Sequence, residues 1–339
     1  MSNISFSLWC DFVERDFLEG EFIELIESGI INGVTSNPAI FQQALLNKSY
    51  ESQKKEIATQ EPKEIYESIA KRDIQRAAEI MLPMYNKDIN NGYVSIEVDP
   101  NLCDDAEGTI REGERLYKEI GYPNVMIKVP ATKAGYVAIE KLISKGIPVN
   151  ITLVFSESQV IECMESLKAG YETLKRDYKK DIGELPRAVI SIFVSRFDRK
   201  CDEILKNAGI ANATLGVKNA QKLYKIIDKY SLPAVRALFA STGVKDDTLE
   251  PSYYVEELYY PYTINTAPLN TIKAFMQARK SLQSLIENGA YLPDDTELDD
   301  YFKLVKNAGI NLESVSQELL EQGLSDFKVA FSKILDSLK

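Results

Sequence analysis

Six apolar runs in this chain end on, or carry near the same end, a polar group able to do chemistry. Asp11 follows Leu8-Trp9-Cys10, Asn37 follows Val34-Thr35-Ser36, and Glu97 closes Val94-Ser95-Ile96. Lys128 follows Val125-Met126-Ile127, Asn150 and Thr152 lie in Val149-Asn150-Ile151-Thr152, and Ser191 lies in Ile190-Ser191-Ile192-Phe193. Each has a structural explanation when taken singly: Asp11 as a helix cap, Asn37-Pro38 as a turn, Thr152 as a good strand former. Their recurrence at one end of successive runs points to a shared rim.

Lys128 is the hardest of them to explain structurally. Strand alternation puts Val125, Ile127 and Val129 on one side and Met126 with Lys128 on the other. If both sides are covered, an inward lysine loses water, its pKa falls, and the neutral amine can attack a carbonyl. The alternative is a lysine reaching out to solvent from the strand end. Glu97 and Asp11, on neighbouring strands, would then supply a carboxylate base and a carboxylate acid. The chain contains no histidine, which removes Ser-His and Cys-His nucleophile activation and the commonest ligand of catalytic zinc. Lysine and carboxylates together suit aldol chemistry through a Schiff base, which stabilises a carbanion without metal or cofactor.

Such residues need strands to hold them. Short apolar runs predict eight, at Ile4-Trp9, Gly33-Ser36, Tyr93-Val98, Asn124-Val129, Ile147-Phe155, Ala188-Val194, Ala234-Ala240 and Tyr259-Ile264. The segments between them have helical spacing, as in Phe17, Phe22, Leu25 and Ile26 before Gly29. Strand and helix alternating eight times over about 250 residues predicts an α/β fold, a (β/α)8 TIM barrel whose chemistry sits at the carboxyl ends of the strands. A doubly wound open sheet is the competing architecture, but no GxGxxG follows the first strand and no GxxxxGK[ST] is present. Residues 47–91 and about 284–339 exceed a minimal barrel and read as helical. In the tail, Phe327, Ala330, Phe331, Ile334 and Leu338 recur every three or four residues, which gives an apolar face for the barrel or for a second copy in a homodimer. With no repeat, low-complexity tract or Pro/Gly-rich linker, one domain over 1–339 is expected.

Composition narrows the partners. A chain of 339 residues, 45% hydrophobic and 27% charged, can bury a large core. A net charge of −11 disfavours nucleic acid and anionic membranes, and no apolar run reaches the length of a membrane span. The opening residues lack signal-peptide sections, so a cytoplasmic protein is expected. Cys10, Cys103, Cys163 and Cys201 form no CxxC pair and read as reduced and structural. Cys10, next to Asp11, would be inert if buried.

Four segments resemble the transaldolase family: Gly33-Val-Thr-Ser-Asn37-Pro38, Met126-Ile-Lys128-Val-Pro-Ala-Thr132, Asn150-Ile-Thr152-Leu-Val-Phe155-Ser156 and Ile190-Ser191-Ile-Phe193-Val-Ser-Arg196. With Ala240-Ser-Thr-Gly-Val-Lys245, the resemblance is to its longer bacterial branch and spans nearly the whole predicted barrel. It implies transfer of a dihydroxyacetone unit from sedoheptulose 7-phosphate to glyceraldehyde 3-phosphate, giving erythrose 4-phosphate and fructose 6-phosphate, in the non-oxidative pentose phosphate pathway. It implies Lys128 as the Schiff-base lysine, Asp11 as the acid-base aspartate, and Glu97 with Thr152 as the pair positioning a catalytic water. It also implies Asn37, Asn150 and Ser191 as holders of the dihydroxyacetone part, and Arg196 and Lys245 as phosphate ligands. Phe193 stands where the fructose 6-phosphate aldolase branch has a tyrosine, and this favours transferase over aldolase. Pro261-Tyr-Thr-Ile-Asn265-Thr266-Ala-Pro268 resembles a further family segment, in which Tyr262 replaces an expected acidic residue and receives no catalytic role. Two other readings remain: a different Schiff-base aldolase on the same barrel, and a barrel that binds sugar phosphates or a protein without catalysis.

Overall fold

The computed structural model describes residues 6–57, 61–178, 184–246, 248–278 and 289–339. Ile4 and Ser5 of the first predicted strand, residues 58–60 of the predicted helical stretch, and the predicted start of the tail at 284–288 lie outside them. The strands are β1 (Ser7–Cys10), β2 (Gly33–Thr35), β3 (Tyr93–Glu97), β4 (Val125–Pro130), β5 (Val149–Val154), β6 (Ala188–Phe193), β7 (Val235–Ala240) and β8 (Ile264–Ala267). They form a closed barrel in sequence order. Every neighbouring pair is parallel, including β1 with β8, where Ser7 faces Ile264 and Cys10 faces Ala267. This is the (β/α)8 barrel, and the open sheet is excluded.

Covered on both faces, the strands read as continuous apolar runs. Val125, Ile127 and Val129 belong to the shell between strands and helices. Met126 joins Trp9, Tyr93, Val189, Leu238 and Ile264 in the interior. Trp9 fills the lower interior only because β2 begins with glycine: a Cβ at Gly33 would lie 2.3 Å from the Trp9 ring. Below this layer Arg236 is buried and donates to the carbonyls of Tyr262, Asn90 and Thr263 and to Ser7 Oγ at 2.8–3.0 Å. The floor of the barrel is thereby closed by saturated hydrogen bonds.

One strand falls elsewhere than predicted. Of the predicted run Tyr259–Ile264 only Ile264 is in a strand: the eighth strand is Ile264–Ala267. Tyr259 stacks on Phe6 and Tyr260 on Tyr224, and Tyr262 takes a left-handed φ of 58°. The aromatic run is therefore buried by packing before β8 begins, and Tyr262, 73% exposed, sits at the floor, away from the strand ends.

The described residues of 47–91 include a short 3-10 turn (Lys48–Tyr50), a helix at Glu51–Glu56 and a long helix at Pro62–Lys87. The C-terminal helix, Leu312–Ser337, returns to the barrel. Its Phe331 meets Tyr66 edge-on at 5.4 Å, and Tyr66 meets Phe41 at 5.8 Å. Phe327, Ala330, Phe331 and Ile334 are buried within this chain, so most of the tail's apolar face is used in core packing. Among the described residues no helix is long and apolar enough to cross a membrane.

Gly33→Ala is expected to lower unfolding free energy by about 1–3 kcal/mol through overpacking. Urea unfolding followed by fluorescence of Trp9, the single tryptophan, measures both the loss and the displaced ring.

Candidate active site

A cavity of about 200 Å³ opens at the carboxyl ends of the strands. Its lining includes Asp11, Asn37, Lys128, Asn150, Thr152, Ser191, Phe193 and Arg196. Glu97 reaches it through Lys128. Lys128 Nζ lies 3.6 Å from Glu97 Oε2, with side chains 8% and 6% exposed, and it donates to the Ser36 carbonyl at 3.2 Å. Lys128 thus points inward and does not snorkel. Asp11 is not on a neighbouring strand, as expected from the sequence, but across the mouth at the end of β1.

Local structure accounts for each placement. Asn37 starts the Pro38–Ala44 helix: its Oδ1 accepts from Ile40 N at 3.1 Å, and Pro38 sits in the first turn, where no N–H is needed. The cap and the cavity wall are one residue. Asp11 caps nothing; that task falls to Glu14, which accepts from Phe17 N. Asp11 Oδ1 instead accepts from Thr35 Oγ1 at 2.7 Å, and Thr35 Oγ1 is 2.7 Å from Thr266 Oγ1. A hydroxyl has one proton, so when Thr35 donates to Asp11 it must accept from Thr266. This chain of three strand ends orients the carboxylate. After β4, Pro130 closes the strand and Thr132 caps the next helix, accepting from Gly135 N at 3.0 Å.

Deeper in the barrel, Ser191 Oγ donates to Asn150 Oδ1 at 2.7 Å, and Asn150 Nδ2 donates to Ser95 Oγ at 3.0 Å. Thr152 and Leu153 lie in the irregularity between Ile151 and Val154 of the β5–β6 pairing, where Leu153 takes a φ of 60°. A bulge re-aims side chains next to a site: Leu153 joins the interior core, while Thr152 keeps its place in the cavity wall. Thr152 Oγ1 and Glu97 Oε2 are both buried without a hydrogen-bond partner among the described residues.

Burial dominates the electrostatics. It pushes the Glu97 carboxyl up to about 7 against the opposing pull of Lys128. It also raises Asp11 above the usual carboxylate range, opposed by Lys128 and by the Thr35 hydrogen bond. Arg196 is pushed down from the ordinary arginine value by burial. Its guanidinium lies 5.3 Å from the Phe193 ring centre. Cys10 is buried and its thiol is pushed up by burial first and by Asp11 second, which makes it unreactive.

Lys245 is exposed beyond the end of β7 and does not line the cavity. Six other residues do that the sequence did not assign to the site: Thr35, Ala39, Ala240, Ser241, Thr266 and Phe327. Thr35 and Thr266 follow the strand-end rule applied to β2 and β8. Phe327 comes from the C-terminal helix, and its ring centre lies 5.9 Å from Lys128 Nζ. A larger hollow of about 1120 Å³, between that helix and the Lys133–Ser144 helix, lacks the Lys128–Glu97 pair.

The family model for transaldolase/fructose-6-phosphate aldolase matches residues 8–338. The chain belongs to this family. A transaldolase of Helicobacter pylori (strain Shi470) is 42% identical over 336 residues, covering 98% of this chain and 99% of that protein. A transaldolase of Campylobacter jejuni (strain RM1221) is 41% identical over 338 residues, with the same shares covered. In this member of the transaldolase/fructose-6-phosphate aldolase family, the matched span takes in all the strand ends that build the cavity.

Two outcomes are expected here. Replacing Thr35 by Val lowers kcat roughly 10- to 100-fold by releasing Asp11, while Thr35→Ser stays near wild type; steady-state kinetics decide. Glu97 has a folded pKa above its unfolded one, so its contribution to stability is full below the unfolded value of 4.5 and is lost as pH rises to about 7. The melting temperature of Glu97→Gln relative to wild type should therefore climb between those pH values and level off above them.

Proposed function

We propose that this chain is a transaldolase that carries a dihydroxyacetone unit on Lys128 from sedoheptulose 7-phosphate to glyceraldehyde 3-phosphate. The observation that carries the reading is the inward Lys128 Nζ, buried beside Glu97 Oε2 and opening on a cavity that Asp11 also lines. Full-length relatives named transaldolase support the reaction class.

In this reading, Lys128 Nζ attacks the ketose C2 carbonyl, and loss of water leaves a protonated Schiff base. Glu97, with its pKa near 7, exchanges protons with Nζ and with a water it shares with Thr152. Such a water would satisfy the two buried atoms that lack a partner. Asp11 takes the proton from the C4 hydroxyl. The C3–C4 bond breaks, the aldehyde leaves, and the electron pair stays as an enamine on Lys128. The acceptor aldehyde then takes the enamine carbon, Asp11 returns the proton to the new hydroxyl, and water hydrolyses the new Schiff base to free the ketose product and the Lys128 amine. Each carboxylate transfer is worth about 10²- to 10⁴-fold in rate.

Asn37, Asn150 and Ser191 line the wall where the three-carbon fragment would lie, and Arg196 at the rim would take the phosphate. We assign Lys245 no contact in this site. Phe193 has no proton to give the enamine, so the fragment waits for an acceptor. The protein would act as one domain, in the cytoplasm, on sugar phosphates and not on nucleic acid.

Incubation with fructose 6-phosphate and erythrose 4-phosphate should produce sedoheptulose 7-phosphate. Release of free dihydroxyacetone without transfer would favour the aldolase reading. Phe193→Tyr should shift the products toward free dihydroxyacetone, which an enzymatic triose assay can read.

A further inference from the structure

The C-terminal helix brings a carboxylate to Arg196, a cationic side chain in the cavity lining. Asp326 Oδ2 lies 3.4 Å from Arg196 Nη1. Asp326 Oδ1 is held by Gln322 Nε2 at 2.7 Å. The helix can run this close because residue 323 is glycine: a Cβ there would lie 2.7 Å from Leu153 and 3.1 Å from Arg196 Nη1.

The pair is unequal. Arg196 is 15% exposed and Asp326 47%, and the single long contact is not the two-point fork that an arginine makes with a well-matched carboxylate. Arg196 Nε is buried and has no partner among the described residues. The guanidinium is thus only partly satisfied, with its carbon 5.3 Å from the Phe193 ring centre. Against it Asp326 sets one long contact and the charge of its carboxylate.

We propose that Asp326 is a specificity-determining residue: it sets a negative charge against Arg196 and weakens the grip on the substrate phosphate. This rests on the reading of Arg196 as the phosphate ligand. A phosphate at the rim engages the guanidinium through its terminal nitrogens, and it does so against the repulsion of the Asp326 carboxylate. Phosphorylated sugars are therefore held loosely enough to leave between the two half-reactions. Unphosphorylated sugars do not sense the carboxylate.

With saturating fructose 6-phosphate as donor, the acceptor KM is measured for erythrose 4-phosphate and for erythrose, and inorganic phosphate is tested as an inhibitor. Asp326→Asn should lower KM for erythrose 4-phosphate and the inhibition constant of phosphate about three- to tenfold. KM for erythrose should not move, and the effect should fall on KM rather than kcat. Arg196→Ala should raise KM for erythrose 4-phosphate toward that for erythrose. If Arg196→Ala does so while Asp326→Asn changes nothing, raises KM, or shifts both acceptors alike, the role of Asp326 is overturned and the phosphate reading stands. If Arg196→Ala leaves the preference for phosphorylated acceptor intact, the phosphate reading fails and the inference falls with it.

Discussion

An amine and a carboxylate lie 3.6 Å apart in a place where neither meets bulk water. Removing two such groups from solvent costs several kcal/mol each, and mutual attraction returns that only when geometry and further hydrogen bonds are good. Here they are incomplete: Lys128 reaches one carbonyl, and among the described residues Glu97 Oε2 has no hydrogen-bond partner. The unrelieved part appears as the rise of the Glu97 carboxyl toward neutrality. A pair arranged for stability alone would not be left in that state, whereas a group that must take up and release a proton near pH 7 benefits from it.

The closed barrel makes this burial tolerable. Parallel pairing sets Glu97 beside Lys128 and Lys128 beside Asn150 in register, so the three face inward at related heights. Trp9 and Met126 form an apolar layer under them, and Arg236 seals the floor. Above, Phe327 covers the amine from the C-terminal helix. The tail is therefore part of the cavity wall, and its glycine at 323 allows it to come down onto the rim.

Much of this was legible in the sequence because strand period and strand-end chemistry are local. The inward direction of Lys128 followed from Val125, Ile127 and Val129, and seven of the eight strands fell close to their apolar runs. The eighth did not, because Tyr259 and Tyr260 look like strand residues yet are buried by ring stacking, a long-range contact. The same limit hid Phe327: helical spacing showed that it faced something apolar, but not that this was the mouth above Lys128. Asp11 was expected on a strand next to Lys128, and only barrel closure shows how a residue of β1 can face one of β4. The Thr266–Thr35–Asp11 chain joins residues from three strands and has no signature in any one of them. Lys245 was selected by motif position, and its exposed place beyond β7 keeps it off the cavity wall.

The account stands or falls on the covalent role of Lys128. Incubation with fructose 6-phosphate, reduction with borohydride and mass-spectrometric mapping test it directly. A three-carbon adduct on Lys128 that is absent from Lys128→Ala is the expected result; an adduct on another lysine, or none during active transfer, would contradict it.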